Sequence, residues 1–215
     1  MVKLDDINQS IKDKLLEMAN KVIAMHALAL ETINEEDNEK ALKVIKMDDI
    51  VNAYEEDVNT LVLESLALLS PVAKDLRHAV AAIKIASELE RIGDYAKNMV
   101  KFTIKQGKLD NELKEKVLEI GNIFISMLDH SMDAYNKQDV NWAYQIPEED
   151  NEINERYKIA VKLLEDALTQ NTQLDGKNII YIFSLMRNLE RAGDHTKNIC
   201  EHIVYEVKGH HVEFD

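Results

Sequence analysis

A chain with only two prolines and six glycines among 215 residues can reverse direction only a few times. Sheets and turn-rich folds draw on these residues for positive φ and tight reversals. What remains is a small number of long elements. The abundant Ala, Leu, Glu and Lys, with eight Met, are strong helix formers. The expected class is all-α. A hydrophobic fraction of 46% suffices for a sizeable core, whether as one larger domain or two small ones.

The apolar rhythm divides the chain into six long helices. Ile11, Leu15, Met18, Val22, Met25 and Ala29 step by four and three, the stripe of a bundle helix. The polar stretch at Asn34–Asn38 interrupts it. A second helix is expected from about Asn38 to Leu69, where Ser70-Pro71 ends it, because the residue before proline is pushed out of the α region. A third runs from about Ala73 to Lys105, with Gly107 as its stop. Leu113, Val117, Ile120, Phe124, Met127 and Ser131 mark a fourth. After an interruption at Gln138-Asp139, a fifth continues to about Thr169. The polar turn Gln170–Gly176 precedes a sixth, Lys177 to Lys208, which stops before Gly209.

An internal repeat organises these helices. ELERIGDYAKN at Glu88–Asn98 recurs 100 residues later as NLERAGDHTKN at Asn188–Asn198, with L-E-R-x-G-D-x-x-K-N identical in both. Asp75 and Asp175 match at the same shift. DDIVN at Asp48–Asn52 resembles DNEIN at Asp150–Asn154, shifted by 102 residues. Three helices twice gives two tandem three-helix bundles, divided as residues 1–107 and 108–215.

The repeated decamer is where chemistry would concentrate. Residues four apart share a helix face, so Glu90 pairs with Asp94 and Glu190 with Asp194 on the flank of the stripe Leu89, Ile92, Ala96 and Met99. Like charges so spaced cost a helix roughly 0.2–0.5 kcal/mol. Keeping them twice implies a cation between them, either a side chain or a metal ion. Lys97 and Arg91 could satisfy the carboxylates through ordinary salt bridges; the residue-by-residue recurrence argues for more. Gly93 and Gly193 point to close packing, because a mid-helix glycine costs roughly 1 kcal/mol relative to alanine. Asp48 with Asn52, and Asp150 with Asn154, have the same spacing and could complete the sites. Such oxygen ligands select Mg²⁺, Mn²⁺, Ca²⁺ or iron, with zinc a further candidate. His195 is a possible nitrogen ligand in the second repeat alone.

Other function classes fare poorly. With 40 acidic against 26 basic residues and a net charge of −14, the surface repels nucleic acid and anionic lipid. The single Cys200 provides no internal disulfide. It falls at a core-like position and is expected to be packed rather than reactive. No segment approaches the ~20 apolar residues of a membrane span, and the opening MVKLDDINQS lacks the apolar core of a signal peptide. A cytoplasmic protein is the expectation. There is no phosphate-cradling Gly-rich loop. No E-x-x-H occurs in the sequence, which weighs against a di-iron carboxylate enzyme.

At these residues the sequence resembles the PhoU family of phosphate-uptake regulators. SPVAKDLR (Ser70–Arg77) with ASELERIGDYAKNM (Ala86–Met99) is similar to the family's first repeat, and RNLERAGDHTKNICEHIVYEVKG (Arg187–Gly209) to its second. The resemblance implies a non-enzymatic protein with metal ions on Glu90, Asp94, Glu190 and Asp194, and with Asp48, Asp150 and Asp75 as further members. It implies a cytoplasmic negative regulator of the phosphate-starvation response, often dimeric. Such a protein would couple a phosphate ABC transporter to a sensor histidine kinase and reach the membrane only through them. Two departures stand out. Asn52 and Asn154 replace carboxylates that would make the motifs fully acidic, and Pro147 falls inside the fifth helix, where it would displace Asp150. A metal-free helical adaptor that docks basic partners on acidic faces is the alternative, and a carboxylate-bridged metal enzyme a more distant one.

Overall fold

The computed structural model describes residues 4–35, 37–69, 72–106, 111–169 and 176–214. Among them every element is helical: α1 (Leu4–Glu35), α2 (Asn38–Leu69), α3 (Ala73–Gln106), α4 (Asn111–Lys137), α5 (Val140–Gln145), a 3₁₀ turn (Ile146–Glu148), α6 (Glu149–Thr169) and α7 (Gly176–Lys208). Six are long, as the periodicity requires. The expected breaks at Ser70-Pro71 and Gly107, and residues 170–175 of the expected polar turn, lie outside the described residues.

Local chemistry sets the ends. Asp37 caps α2, its Oδ1 accepting from the backbone N–H groups of Glu39 at 2.8 Å and Lys40 at 3.2 Å. Gln138 adopts a left-handed φ of 52° where α4 ends, and Asp139 then caps α5 by accepting from the Trp142 N–H at 3.1 Å. Gly209, with φ of 78°, closes α7 through an N–H bond to the Tyr205 carbonyl at 2.9 Å. The fifth helix of the sequence reading is corrected here: it is two helices. Pro147 sits in the first turn of the 3₁₀ segment, where a missing N–H costs nothing, and the chain re-enters α-helix at Glu149.

Helices α1, α2 and α3 pack on one another, as do α4, α6 and α7; α3 against α7 and α1 against α4 join the halves. A single continuous core results, running from Ile11, Leu15 and Val22 through Leu89 and Ile92 to Phe124, Leu185, Leu189 and Ile199. His26 lies fully inside it, donating from Nε2 to the Ile92 carbonyl at 2.8 Å and packing 4.6 Å from the Phe124 ring. Burial pushes its pKa down to about 4, so it is neutral at pH 7. Cys200 is equally buried, and burial raises its thiol pKa; it is packed, as its spacing indicates.

Candidate functional site

Because α2 lies against α3 and α6 against α7, the paired carboxylates of the repeats meet acids from a neighbouring helix. In the first repeat, Lys97 Nζ lies 2.6 Å from Asp48 Oδ2 on α2 and 2.5 Å from Asp94 Oδ1 on its own helix. In the second, Lys197 Nζ lies 3.0 Å from Asp150 Oδ2 on α6 and 3.1 Å from Asp194 Oδ1. The cation demanded by the sequence is therefore present as a side chain. Each ammonium joins two helices, and burial sharpens its role, for Asp48 is 5% and Asp150 2% exposed. A buried carboxylate stripped of its partner is costly.

One lysine does not neutralise each cluster. Burial raises the Glu90 pKa, and Asp94, Glu55 and Asp48 add to the rise. Burial does the same at Glu190, helped by Asp194 and Asp150. At these half-exposed positions burial is the first cause and the neighbouring carboxylates the next, opposed by Arg91 at Glu90 and by Arg191 and Arg187 at Glu190. Asp150 differs from Asp48 in two respects. Asn154 donates from Nδ2 to its Oδ2 at 2.7 Å, whereas Asn52 is exposed. In addition, Asp150 Oδ1 is buried without a partner among the described residues. Pro147 does not pull Asp150 out of the cluster. It ends the preceding helix early and leaves Asp150 in the first turn of α6, still paired to Lys197.

The repeat glycines explain the close approach. A Cβ on Gly93 would lie 3.3 Å from Val51 Cγ1 and 3.7 Å from Val22 Cγ2; one on Gly193 would lie 2.5 Å from Asp150 Oδ1. In both repeats the missing side chain admits the helix that brings the extra carboxylate.

Two candidates, the implied member Asp75 and the alternative ligand His195, lie elsewhere. Asp75 is on α3, some fifteen residues before Glu90, or about 22 Å along the axis. Its Oδ2 accepts the Val72 N–H at 3.2 Å at the start of the helix. It also lines a separate cleft of about 500 Å³ with Lys12, Lys74, His78 and Glu206. His195 turns away from the carboxylates of its own repeat. Its Nδ1 lies 2.5 Å from Glu88 Oε2 and its Nε2 3.1 Å from the Tyr95 hydroxyl.

The chain-wide match to a family model decides where this arrangement belongs. The model of the PhoU domain matches twice, over residues 15–103 and 117–203. The chain belongs to the PhoU family. A protein of Clostridium acetobutylicum named as a phosphate-specific transport system accessory protein PhoU homolog is 28% identical over 210 residues, 96% of this chain and 95% of that one. The phosphate-specific transport system accessory protein PhoU of Serratia marcescens is 30% identical over 205 residues, 95% of this chain and 84% of that one. Among solved structures, PhoU from Pseudomonas aeruginosa superposes with a TM-score of 0.89 at 27% identity, covering 97% of this chain and all of that one. The phosphate transport system regulatory protein PhoU from Streptococcus pneumoniae shares the fold with a TM-score of 0.90 at 24% identity, covering 98% and 100%.

The PhoU repeats are not equivalent in polar detail, and sequence reasoning overlooked the difference. Glu88 gathers His195, the Asn198 amide at 3.3 Å and His202 at 3.7 Å across the α3–α7 contact. Burial opposes its ionisation, but the bonds from His195, His202 and Asn198 prevail and hold its pKa down at about 2. The signal was available: Glu88, Tyr95 and Phe102 stand opposite Asn188, His195 and His202 when the copies are aligned.

Proposed function

We propose that this chain is a negative regulator of phosphate uptake and phosphate-starvation signalling. In this reading it is a non-enzymatic adaptor between a phosphate ABC transporter and a sensor histidine kinase, built of two regulatory repeats, residues 1–107 and 108–215. The observation that carries the proposal is the doubled carboxylate–lysine cluster inside a PhoU frame: Asp48, Glu90, Asp94 and Lys97 in one repeat, Asp150, Glu190, Asp194 and Lys197 in the other. The relatives' description as accessory proteins of a phosphate-specific transport system supports the transporter as a partner. Among the described residues no helix is long and apolar enough to cross a membrane, so on this reading the protein is cytoplasmic and meets the membrane through protein partners, as a homodimer.

The clusters are proposed to hold a hard or borderline metal ion, and the donors fit one. All are carboxylate oxygens, burial and neighbouring carboxylates raise the pKa of both glutamates, a penalty that a bound cation would offset, and Asp150 Oδ1 is an unpartnered buried acceptor. Among the described residues no three His, Cys, Asp or Glu side chains converge as a ready ligand set, and a lysine bridges two of the carboxylates in each repeat. Glu90, Asp94 and Asp48, and Glu190, Asp194 and Asp150, would hold the ion when the ammonium gives way to it. A bound cation would reverse the local charge and open these faces to anionic groups. What the chain's own residues do is fixed: the lysines tie α2 to α3 and α6 to α7, and the glycines allow the approach.

Elemental analysis of protein purified without chelator tests the metal reading, wild type beside a variant with Glu90, Asp94, Glu190 and Asp194 changed to alanine. Stoichiometric metal in the first and little in the second is expected, with helicity unchanged. Absence of metal from both would leave a PhoU protein that works by docking alone, its acidic faces meeting basic partner surfaces.

A further inference from the structure

A second charged feature lies on the outer face of α7, where the net charge of the chain makes it unexpected. Arg187 and Arg191 stand one turn apart, both exposed, and line a concavity of about 330 Å³ with Ser184, Asn188 and Phe102. Acidic residues outnumber basic ones 40 to 26; yet among the described residues neither guanidinium is in an ion pair, whereas Arg156 pairs with both Glu119 and Glu152. Glu190 is the carboxylate whose charge both arginines moderate, and it shares the field of Asp194 and Asp150 in the neighbouring cluster.

Comparison of the repeats shows what the concavity lacks. The first-repeat counterparts of Arg187 and Asn188 are Ser87 and Glu88, and the counterpart of Phe102 is His202. There an anion is built in: Glu88 is received by His195, Asn198 and His202. In the second repeat the carboxylate is replaced by the neutral Asn188 amide, the imidazole by Phe102 and Lys84 by Ser184, while Arg187 adds a second guanidinium. The guanidinium shared by the repeats is kept while the carboxylate at the Glu88 position is gone, which leaves Glu190 as the acid that both arginines moderate.

We propose that this concavity binds a phosphate-type oxyanion, free or carried on a small organic body. Two guanidinium groups match the charge of roughly −1.5 to −2 on a phosphate monoester at pH 7, and their planar forks suit its oxygens. Asn188 adds an amide donor. Ser184 donates its hydroxyl back to the Ile180 carbonyl at 2.8 Å, so it leaves only an acceptor and does not hold the anion. Phe102, backed by the Tyr181 ring at 6.1 Å, gives an apolar wall for whatever carries the phosphate. The site adjoins the second carboxylate cluster at Glu190 but is lined by other residues, and it needs no metal.

The test is titration of chelator-treated, full-length protein with inorganic phosphate and with phenyl phosphate in low-salt chloride buffer. Binding is expected in the wild type and in Arg91→Gln, the first-repeat counterpart. It should weaken by about tenfold or more in Arg187→Gln, because charge-assisted bonds of this kind carry that much. Asn188→Glu, which plants in the second repeat the carboxylate that the first possesses, should weaken it likewise. Tighter binding of phenyl phosphate than of phosphate identifies a carried phosphoryl group, and equal binding identifies the free anion. No binding of either probe, equal affinity in all variants, or binding seen only before chelation would overturn the proposal. The last result would place phosphate on a metal ion and leave the metal reading intact. Circular dichroism of each exposed-site variant verifies the fold.

Discussion

Replacing Gly193 with alanine should destabilise the protein, whereas the same change at Gly93 should not. Alanine favours a helix interior by roughly 1 kcal/mol over glycine, so both changes begin with a gain. At Gly93 the new methyl meets Val51 Cγ1 at 3.3 Å and Met25 Cε at 3.9 Å, contacts that a shift of a few tenths of an ångström relieves. At Gly193 it meets Asp150 Oδ1 at 2.5 Å, and that carboxylate must rotate. Because its other oxygen holds Lys197 and the Asn154 amide, rotation strains two bonds to a charged group, worth about 1.5–3 kcal/mol each when lost outright. If half of that is lost, the net destabilisation after the helical gain is about 0.5–2 kcal/mol, or a fall in Tm of roughly 1–8 °C for a chain of this size. Gly93→Ala should lie between neutral and about 1 kcal/mol more stable. Equilibrium denaturation of the two variants beside wild type measures the contrast. Equal stabilisation by both would show that Asp150 does not lean on Gly193, and the account of the close approach would be wrong.

Two further outcomes are expected. Changing Lys97 or Lys197 to Met strands a buried aspartate, so metal-free stability should fall by about 3–5 kcal/mol while metal affinity rises; unchanged affinity by competition titration would refute exchange between ammonium and metal. His26 has its pKa lowered from 6.5 to about 4 by burial, so the unfolded chain binds the proton more readily. The stability this provides is complete above the unfolded value and declines as pH falls from about 6.5 to 4, by on the order of 3 kcal/mol. Denaturant midpoints across that range should fall less steeply in His26→Gln, and identical slopes would contradict the assignment.

The helices and the duplication were legible in the chain because both are local or self-referential properties. Scarcity of Gly and Pro, the four-and-three apolar rhythm and the decamer at Glu88–Asn98 and Asn188–Asn198 are enough to place six long helices in two sets. Local pattern also put Glu90 beside Asp94 and Glu190 beside Asp194, because i, i+4 geometry belongs to a single helix. Pro147 announced a break, yet its outcome, a separate α5 and a 3₁₀ turn before α6, was set by how the chain packs back on α4 and α7.

What only tertiary structure decided is which groups meet across helices. Sequence alone left the cation between the carboxylates undetermined, and the packing of α2 on α3 and α6 on α7 delivered Lys97 to Asp48 and Lys197 to Asp150. It left Asp75 in the candidate set, and the length of α3 carried it to the far end to cap its own helix. It offered His195 as a ligand to its own repeat, and the α3–α7 contact gave it to Glu88 instead. Helical periodicity fixes the face a side chain occupies. The partner it finds there depends on the depth, rotation and crossing of a second helix, and these follow from the whole core rather than from any one segment.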